Sequence, residues 1–261
     1  MLGMASGIFI VPVLIAFGHI DIHTAVAAGI VSVIACSCGG AAAFLNERLT
    51  NVRVAIVLEV ATTLGALSGV FLFGIVPAAW LFGLFAVILL LSAWQMMSRR
   101  KEALIAETEN GRWPQLDGSY PDRLDGKEVR YRVGNVPFAF ALMYGAGLVS
   151  ALLGIGSGVL KIPAMDTALK LPIKVSSATS NFMIGVTAAA SGAAYFARGL
   201  IKPEIAGPVA VGSILGAALG AKVLMRISSD KLRAFFVVVL IVLAVQMGLQ
   251  AFGIDLVRGG L

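Results

Sequence analysis

Residues 154–163 read G-I-G-S-G-V-L-K-I-P, so three alternating glycines, a serine and a lysine stand inside an apolar run that continues from Val136 to Leu169. A lysine at mid-helix depth in a bilayer costs about 2.5–3.5 kcal/mol on insertion scales, so such a residue usually has a partner or a ligand. Glycines at 154, 156 and 158 each weaken a helix by about 0.8–1 kcal/mol relative to alanine, and backbone that leaves the helix in lipid must be satisfied inside the protein. A helix restarting near Val159 would present free N–H groups and the positive end of its dipole, with Ser157 as an N-cap or as a hydroxyl for an anion. Pro163 fits a first-turn position of that helix. Gly156, Ser157, Gly158 and Lys161 are therefore candidates for holding a small oxyanion. The competing reading makes the glycines packing residues and lets the lysine snorkel.

Two more features carry chemistry. Thr179, Ser180 and Asn181, in A178-T-S-N181, interrupt a second apolar run; their hydroxyls and amide can donate to oxyanions without burying charge, or bond back to their own helix. Glu59 is the one acid near the middle of an expected helix. An intramembrane carboxylate is a candidate for proton coupling, or it pairs with a base. Asp166 is placed to neutralise Lys161 or Lys170. His19 and His23 fall in an expected outer loop. Cys36 and Cys38, spaced C-x-C, diverge by about 200° on a helix and read as small packing residues rather than metal or disulfide partners. No catalytic set, metal site or cofactor is expected.

The elements that must position these groups are membrane helices. The chain has 261 residues, of which 59% are hydrophobic and 13% charged, with a mean hydropathy of +0.94. Soluble domains hold about 45–50% apolar and about 25% charged residues. Apolar runs near 24–45, 54–75, 78–97, 136–152, 175–197, 205–225 and 232–253 are long enough to cross a hydrocarbon core about 30 Å thick, and shorter glycine-broken pieces lie at 3–17 and 154–168. The abundant Gly and Ala suit close helix packing in lipid, and no barrel-type alternation is present. The net charge of +6 sits in short loops beside helix ends, which is topogenic and speaks against a nucleic-acid partner. No removable signal peptide is expected at the start of the sequence.

Shifting the sequence by 151 residues lays G3-M-A-S-G-I-F-I-V-P12 on G154-I-G-S-G-V-L-K-I-P163. The same register pairs Ala27 with Ala178, L64-G-A66 with L215-G-A217, Gly69 with Gly220, Phe85 with Phe236 and Q95-M96 with Q246-M247. One unbroken offset over about 95 residues argues for two structural repeats. Residues 1–97 form the first transmembrane repeat, 98–134 a connecting loop and 135–261 the second repeat. Arg99 to Arg132 holds eight Lys or Arg and seven Asp or Glu, and reads as a largely solvated cytoplasmic loop sharing its side with Arg48 and Arg53. The positive-inside tendency favours an inverted second repeat. The second motif follows an apolar helix, 136–152, that has no counterpart before the first motif, so the first repeat either is short or lacks a leading helix present further upstream. The expected fold is an all-α polytopic membrane protein of two homologous repeats, each of about four membrane segments and each opened by a glycine-broken helix.

These residues resemble the sulfite exporter TauE/SafE family, also described as the toluene sulfonate uptake permease family. The resemblance rests on the G-x-x-S-G-x-x-x-x-P motif in both repeats, A178-T-S-N181, Y195-F-A-R-G-L200 and L215-G-A-A-L-G220, and is strongest from Gly154 to Gly220. It implies a permease in the inner membrane of a prokaryote, driven by an ion gradient and carrying sulfite, sulfonates or related anions. It also implies substrate contacts near Ser6, Gly7, Ser157, Gly158 and residues 179–181. Ser6 and Ser157 stand where relatives often have glycine, which leaves the substrate open. The partners expected are a small anion, lipid, and a coupling proton or cation, with room for a homo-oligomer. Alternatives are a passive anion channel and an intramembrane serine protease. M4-A-S-G7 and A189-A-S-G192 faintly resemble a nucleophile motif, but no histidine in a later helix could serve as base.

Overall fold

A computed structural model describes residues 6–46, 49–97, 113–121, 128–224 and 229–253. Gly3 to Ala5 of the first motif, Arg48, most of the charged connecting loop and the Cys38 side chain lie outside the described residues. The helices are α1 (Gly7–Ala16), α2 (Ile22–Asn46), α3 (Val52–Phe73), α4 (Ala78–Met97), α5 (Val136–Leu153), α6 (Gly158–Ala164), α7 (Ile173–Ala197), α8 (Pro203–Leu224) and α9 (Ser229–Ala251). A short antiparallel hairpin, β1 (Gly118–Pro121) with β2 (Glu128–Tyr131), lies between α4 and α5. The protein is an all-α polytopic membrane protein. Among the described residues, α3, α4, α5 and the part of α9 from Ala234 are long and apolar enough to cross a membrane. α7 is as long as any of these but carries Ser176, Ser177, Thr179, Ser180, Asn181, Thr187 and Ser191, which lower its hydropathy.

Local signals set the helix ends. Asn51 caps α3 by accepting from the Val54 N–H at 3.1 Å, and Asn135 caps α5 by accepting from Phe138 N–H at 3.2 Å, with Pro137 in the first turn. α5 stops at Gly154, whose φ of 65° is left-handed and whose N–H donates to Ser150 O at 2.9 Å. The starts of α1 to α4 and of α6 to α9 run in step with the sequence offset, at Gly7 and Gly158, Ile22 and Ile173, Val52 and Pro203, and Ala78 and Ser229. Packing follows a matching pattern, in which α1 lies on α2 as α6 lies on α7, and α3 lies on α7 as α8 lies on α2.

The α6 segment departs from expectation in one respect. Pro163 is not in the first turn but in the interior of α6, and its missing N–H and bulky ring disrupt the ladder around it. The chain then widens into a π turn over Met165–Leu169 and ends at Lys170 with φ 53°.

The hairpin is also not simply a solvated loop. Leu116, Tyr120, Tyr131 and Val133 are buried in one core cluster with Leu58, Met143, Met165 and Val175. Asn51 Nδ2 donates to Leu116 O and to the Tyr131 hydroxyl, each at 2.9 Å, and Asp117 Oδ1 accepts from Val133 N–H at 2.8 Å. The hairpin thereby closes over the start of α3. A second cluster, built on Ile8, Val11, Ala27, Phe73, Phe85, Leu89, Leu153, Tyr195 and Met247, joins α1, α2, α3, α4, α5, α7 and α9. His19 is a loop residue, whereas His23 is in the first turn of α2 with its ring edge-on to Phe73.

α3 and α5 cross at backbone contact. A Cβ on Gly65 would lie 2.0 Å from Tyr144 O, and one on Gly147 would lie 2.0 Å from Thr62 O. Gly216 is the offset counterpart of Gly65 on α8, and a Cβ there meets nothing within 4 Å. Gly65→Val is therefore expected to cost about 3 kcal/mol or more by overpacking. Gly216→Ala should be neutral or stabilising by up to about 1 kcal/mol through helix propensity. Thermal unfolding of the purified variants checks both, and equal losses at the two positions would contradict the packing argument.

Candidate functional site

α6 is short because two glycines precede it and Pro163 interrupts its ladder one residue before its end. Gly154 and Gly156 take φ of 65° and 70°, which turns the chain sharply between α5 and α6. The turn is locked from outside, since a Cβ on Gly154 would lie 2.4 Å from Val26 O of α2 and one on Gly7 would lie 2.1 Å from Gly154 O. Gly7 of the first motif, at the start of α1, thus packs directly on the glycine turn of the second.

One turn along α6, Lys161 is fully buried, and it is among the largest such side chains described. Its Nζ donates to Thr187 Oγ1 of α7 at 2.6 Å and lies 3.4 Å from Glu59 Oε2 of α3. Thr187 Oγ1 is also 2.5 Å from Glu59 Oε1 and 3.0 Å from Met183 O, so its single proton goes to one of these two acceptors. Thr62 Oγ1, which donates to Leu58 O at 2.9 Å, sits 3.2 Å from Glu59 Oε2, and Thr63 Oγ1 sits 3.4 Å from Oε1. The result is a buried, nearly neutral knot in which a cation from the second half meets an acid from the first. An ammonium has three N–H donors; Glu59 and Thr187 take two, and the third has no partner among the described residues.

Three buried hydroxyls, one at the start of α6 and two on α7, lack partners among the described residues. Ser157 occupies the position before α6, yet its side chain makes no cap bond; its Oγ, like those of Ser176 and Ser180 on α7, has no hydrogen-bond partner among the described residues. Ser157 precedes Lys161 by one helical turn, and Ser176, Ser180, Thr187 and Ser191 recur at spacings that share one face of α7. Unsatisfied buried hydroxyls are uncommon, and each calls for a physical reason.

The other expected residues are placed as follows. Gly156 and Gly158 are buried on either side of Ser157. Thr179 is buried, but its Oγ1 accepts the Asn51 N–H at 3.0 Å, so it ties α7 to the start of α3 and the hairpin. Ser180 is buried and Asn181 half-buried. Ser6 pairs with Ser32 at 2.8 Å, and Ser32 with Ser213 at 2.7 Å, a hydroxyl chain joining α1, α2 and α8. Cys36 is a free thiol directed at Ser213 O, 3.6 Å away. Thr187 and Thr62 do not stand out in the sequence. At the offset of 151, Lys161, Thr187, Glu59 and Thr62 fall on Ile10, Cys36, Ala210 and Ser213, so the knot has a counterpart that is uncharged throughout.

A family model described as "Sulfite exporter TauE/SafE" matches residues 1–247. The chain belongs to this family. It is 22% identical over 257 residues to "Probable membrane transporter protein YunE" of Bacillus subtilis (strain 168), covering 95% of this chain and 91% of that one. It is 26% identical over 221 residues to "Probable membrane transporter protein YdhB" of the same organism, covering 85% and 82%. No solved structure matches. As a TauE/SafE member the chain is a membrane transporter, with lipid and a small-molecule substrate as its partners, and the Lys161 knot is the buried charged feature of its described helices.

Proposed function

We propose that this TauE/SafE transporter is a secondary permease for a small sulfur-containing anion such as sulfite or an organosulfonate, working in a prokaryotic inner membrane on an ion gradient. The observation that carries the reading is Lys161: a fully buried cation with an unused donor, on a helix that restarts after the glycine turn on which Gly7 packs. A burial this costly is sustained when the charge serves a ligand or a partner. The oxygens of a sulfite or sulfonate group match what surrounds it. In this reading Lys161 supplies the charge, Ser157 and Ser180 supply free hydroxyls, and the backbone at Gly156 and Gly158 supplies N–H groups. Ser6, Gly7, Thr179 and Asn181 complete the proposed path where the halves 1–97 and 135–261 meet. The described hairpin, β1 with β2, covers the end at Asn51, and Glu59 provides the coupling carboxylate.

Reconstitution into proteoliposomes tests this reading. With an inward proton gradient, wild type is expected to accumulate labelled sulfite or a short sulfonate above the external concentration, and Lys161→Met to abolish uptake. Equilibration without accumulation would make the protein a passive anion channel, and uptake by Lys161→Met equal to wild type would remove Lys161 from the path.

A further inference from the structure

Glu59 does more in this geometry than neutralise a lysine. Its two oxygens reach both groups that an anion bound to Lys161 would also reach, with Oε2 at 3.4 Å from Lys161 Nζ and Oε1 at 2.5 Å from Thr187 Oγ1. A carboxylate spanning an ammonium and a hydroxyl occupies them as two oxygens of a sulfonate would. We infer that Glu59 is a tethered competitor for the transported anion, and that a proton on Glu59 decides which of the two holds Lys161 and Thr187. The inference rests on the reading of Lys161 as a substrate contact.

The charge count enforces the exchange. The elements packed on α3 near Glu59 are α5, α7 and the hairpin, with α6 reaching in through Lys161. On α5 the titratable group is Tyr144, whose hydroxyl donates to Ser68 Oγ at 2.9 Å. On α7, Lys174 lies thirteen residues before Thr187, about 20 Å along the axis, and Tyr195 lies eight residues beyond it, about 12 Å, with its hydroxyl on Ala151 O. Asp166 falls five residues past Lys161, in the π turn. The hairpin segment carries Asp117, Tyr120, Glu128, Arg130, Tyr131 and Arg132 and meets α3 at Asn51 through Tyr131, eight residues or about 12 Å along the axis from Glu59, and Arg53 of α3 itself is directed outward to Gln115 O. One positive charge therefore serves the knot. Two anions sharing it would repel each other across a few ångströms in a medium that screens several times less than water. A protonated Glu59 carboxyl removes that repulsion, frees the Thr187 hydroxyl and leaves the site with the net charge it had before: one proton in, one monovalent anion in.

The uncharged counterpart agrees with this division. Ile10, Cys36, Ala210 and Ser213 stand where Lys161, Thr187, Glu59 and Thr62 stand, so cation and competitor are present together in one half-site and absent together from the other.

The test is anion affinity against pH. Ethanesulfonate is the probe, because its own charge is constant over the window of about pH 5 to 7, in which carboxylates and histidines titrate and lysines stay charged. For wild type in lipid nanodiscs, Kd is expected to rise about tenfold per pH unit wherever Glu59 is ionised, the slope of one linked proton. Glu59→Gln should bind with a slope near zero and more tightly than wild type at the alkaline end, while Lys161→Met should not bind at any pH. A flat wild-type profile, or a Glu59→Gln variant with the wild-type slope or with no binding, overturns the competition while leaving Lys161 as the substrate contact. Binding by Lys161→Met, or no binding by wild type at any pH, overturns both. The wild-type slope requires no variant to fold.

Discussion

Lys161→Met is expected to destabilise the protein by about 3–5 kcal/mol, and adding Glu59→Leu to it to restore most of that loss. The first change strands a carboxylate 8% exposed among Leu58, Thr62 and Thr187, and removing one member of a buried pair typically costs this much because the remaining charge is left uncompensated. The second change removes the stranded charge. Replacing both members of a buried pair with apolar residues of similar volume is often neutral or better, so the double variant should unfold close to wild type. It should nevertheless carry no anion. Stability and transport would then separate, the result expected if the pair serves a substrate rather than the fold. Thermal or denaturant unfolding of wild type, both single variants and the double variant gives the coupling directly. A Lys161→Met protein as stable as wild type would mean that Glu59 has another cation, and a double variant as unstable as the single one would mean that one of the two replacement side chains packs badly.

The two members of that pair are legible one at a time. Lys161 and Glu59 each stand out as a charge in an apolar run, and the cost of placing a charge in lipid is the same wherever it occurs. That they are each other's partner is not legible, because 102 residues and the boundary between the halves separate them. Sequence proximity offers Asp166 as the partner, and only the packing of α3 on α7 and α6 on α7 brings Glu59 across instead. Thr187 is hidden for another reason: a single hydroxyl in an apolar helix ordinarily bonds back to its own turn, and Thr187 also has Met183 O within reach. Its spacing of seven from Ser180 is the available signal.

The helices are more legible than their connections. Asn51, Asn135 and the glycine at 154 act within one turn, so the sequence marks the ends they cap. The hairpin reads as a charged loop because eight basic and seven acidic residues crowd the stretch from Arg99 to Arg132. The alternation of Val129, Tyr131 and Val133 is the overlooked strand signal, with Tyr131 and Val133 turned into the core. Thr179 shows the same limit from the other side. Its polar run is visible in the sequence, but the hydroxyl's engagement with the Asn51 N–H depends on how the hairpin end of α3 meets α7.

Gly154→Ala should have the larger effect on architecture, and comparison with Gly199→Ala separates its two causes. Both glycines have left-handed backbone, with φ of 65° at Gly154 and 67° at Gly199. An L-residue in that region costs about 1–2 kcal/mol. At Gly199 nothing lies within 4 Å of the added methyl, so Gly199→Ala should show this conformational cost alone. At Gly154 the methyl would lie 2.4 Å from Val26 O and 2.9 Å from Val26 Cα, a clash with backbone that no rotamer change relieves. Either α2 moves or the α5–α6 turn opens, and overpacking of this kind adds about 1–3 kcal/mol to the strain. The damage does not stay local. Gly7 and Gly29 both pack on the Gly154 carbonyl, so a shift there displaces α1 and α2 relative to α6 and moves Lys161 away from Thr187 and Glu59. Gly154→Ala is thus expected to lower stability by roughly twice as much as Gly199→Ala and, unlike it, to lose anion uptake. Gly145→Ala, on α5 with nothing within 4 Å, is the control for adding a methyl to that helix and should retain both stability and uptake. Equal losses for Gly154→Ala and Gly199→Ala would mean that the break is kept for backbone conformation alone, and that the contact between the two motifs does not position the site.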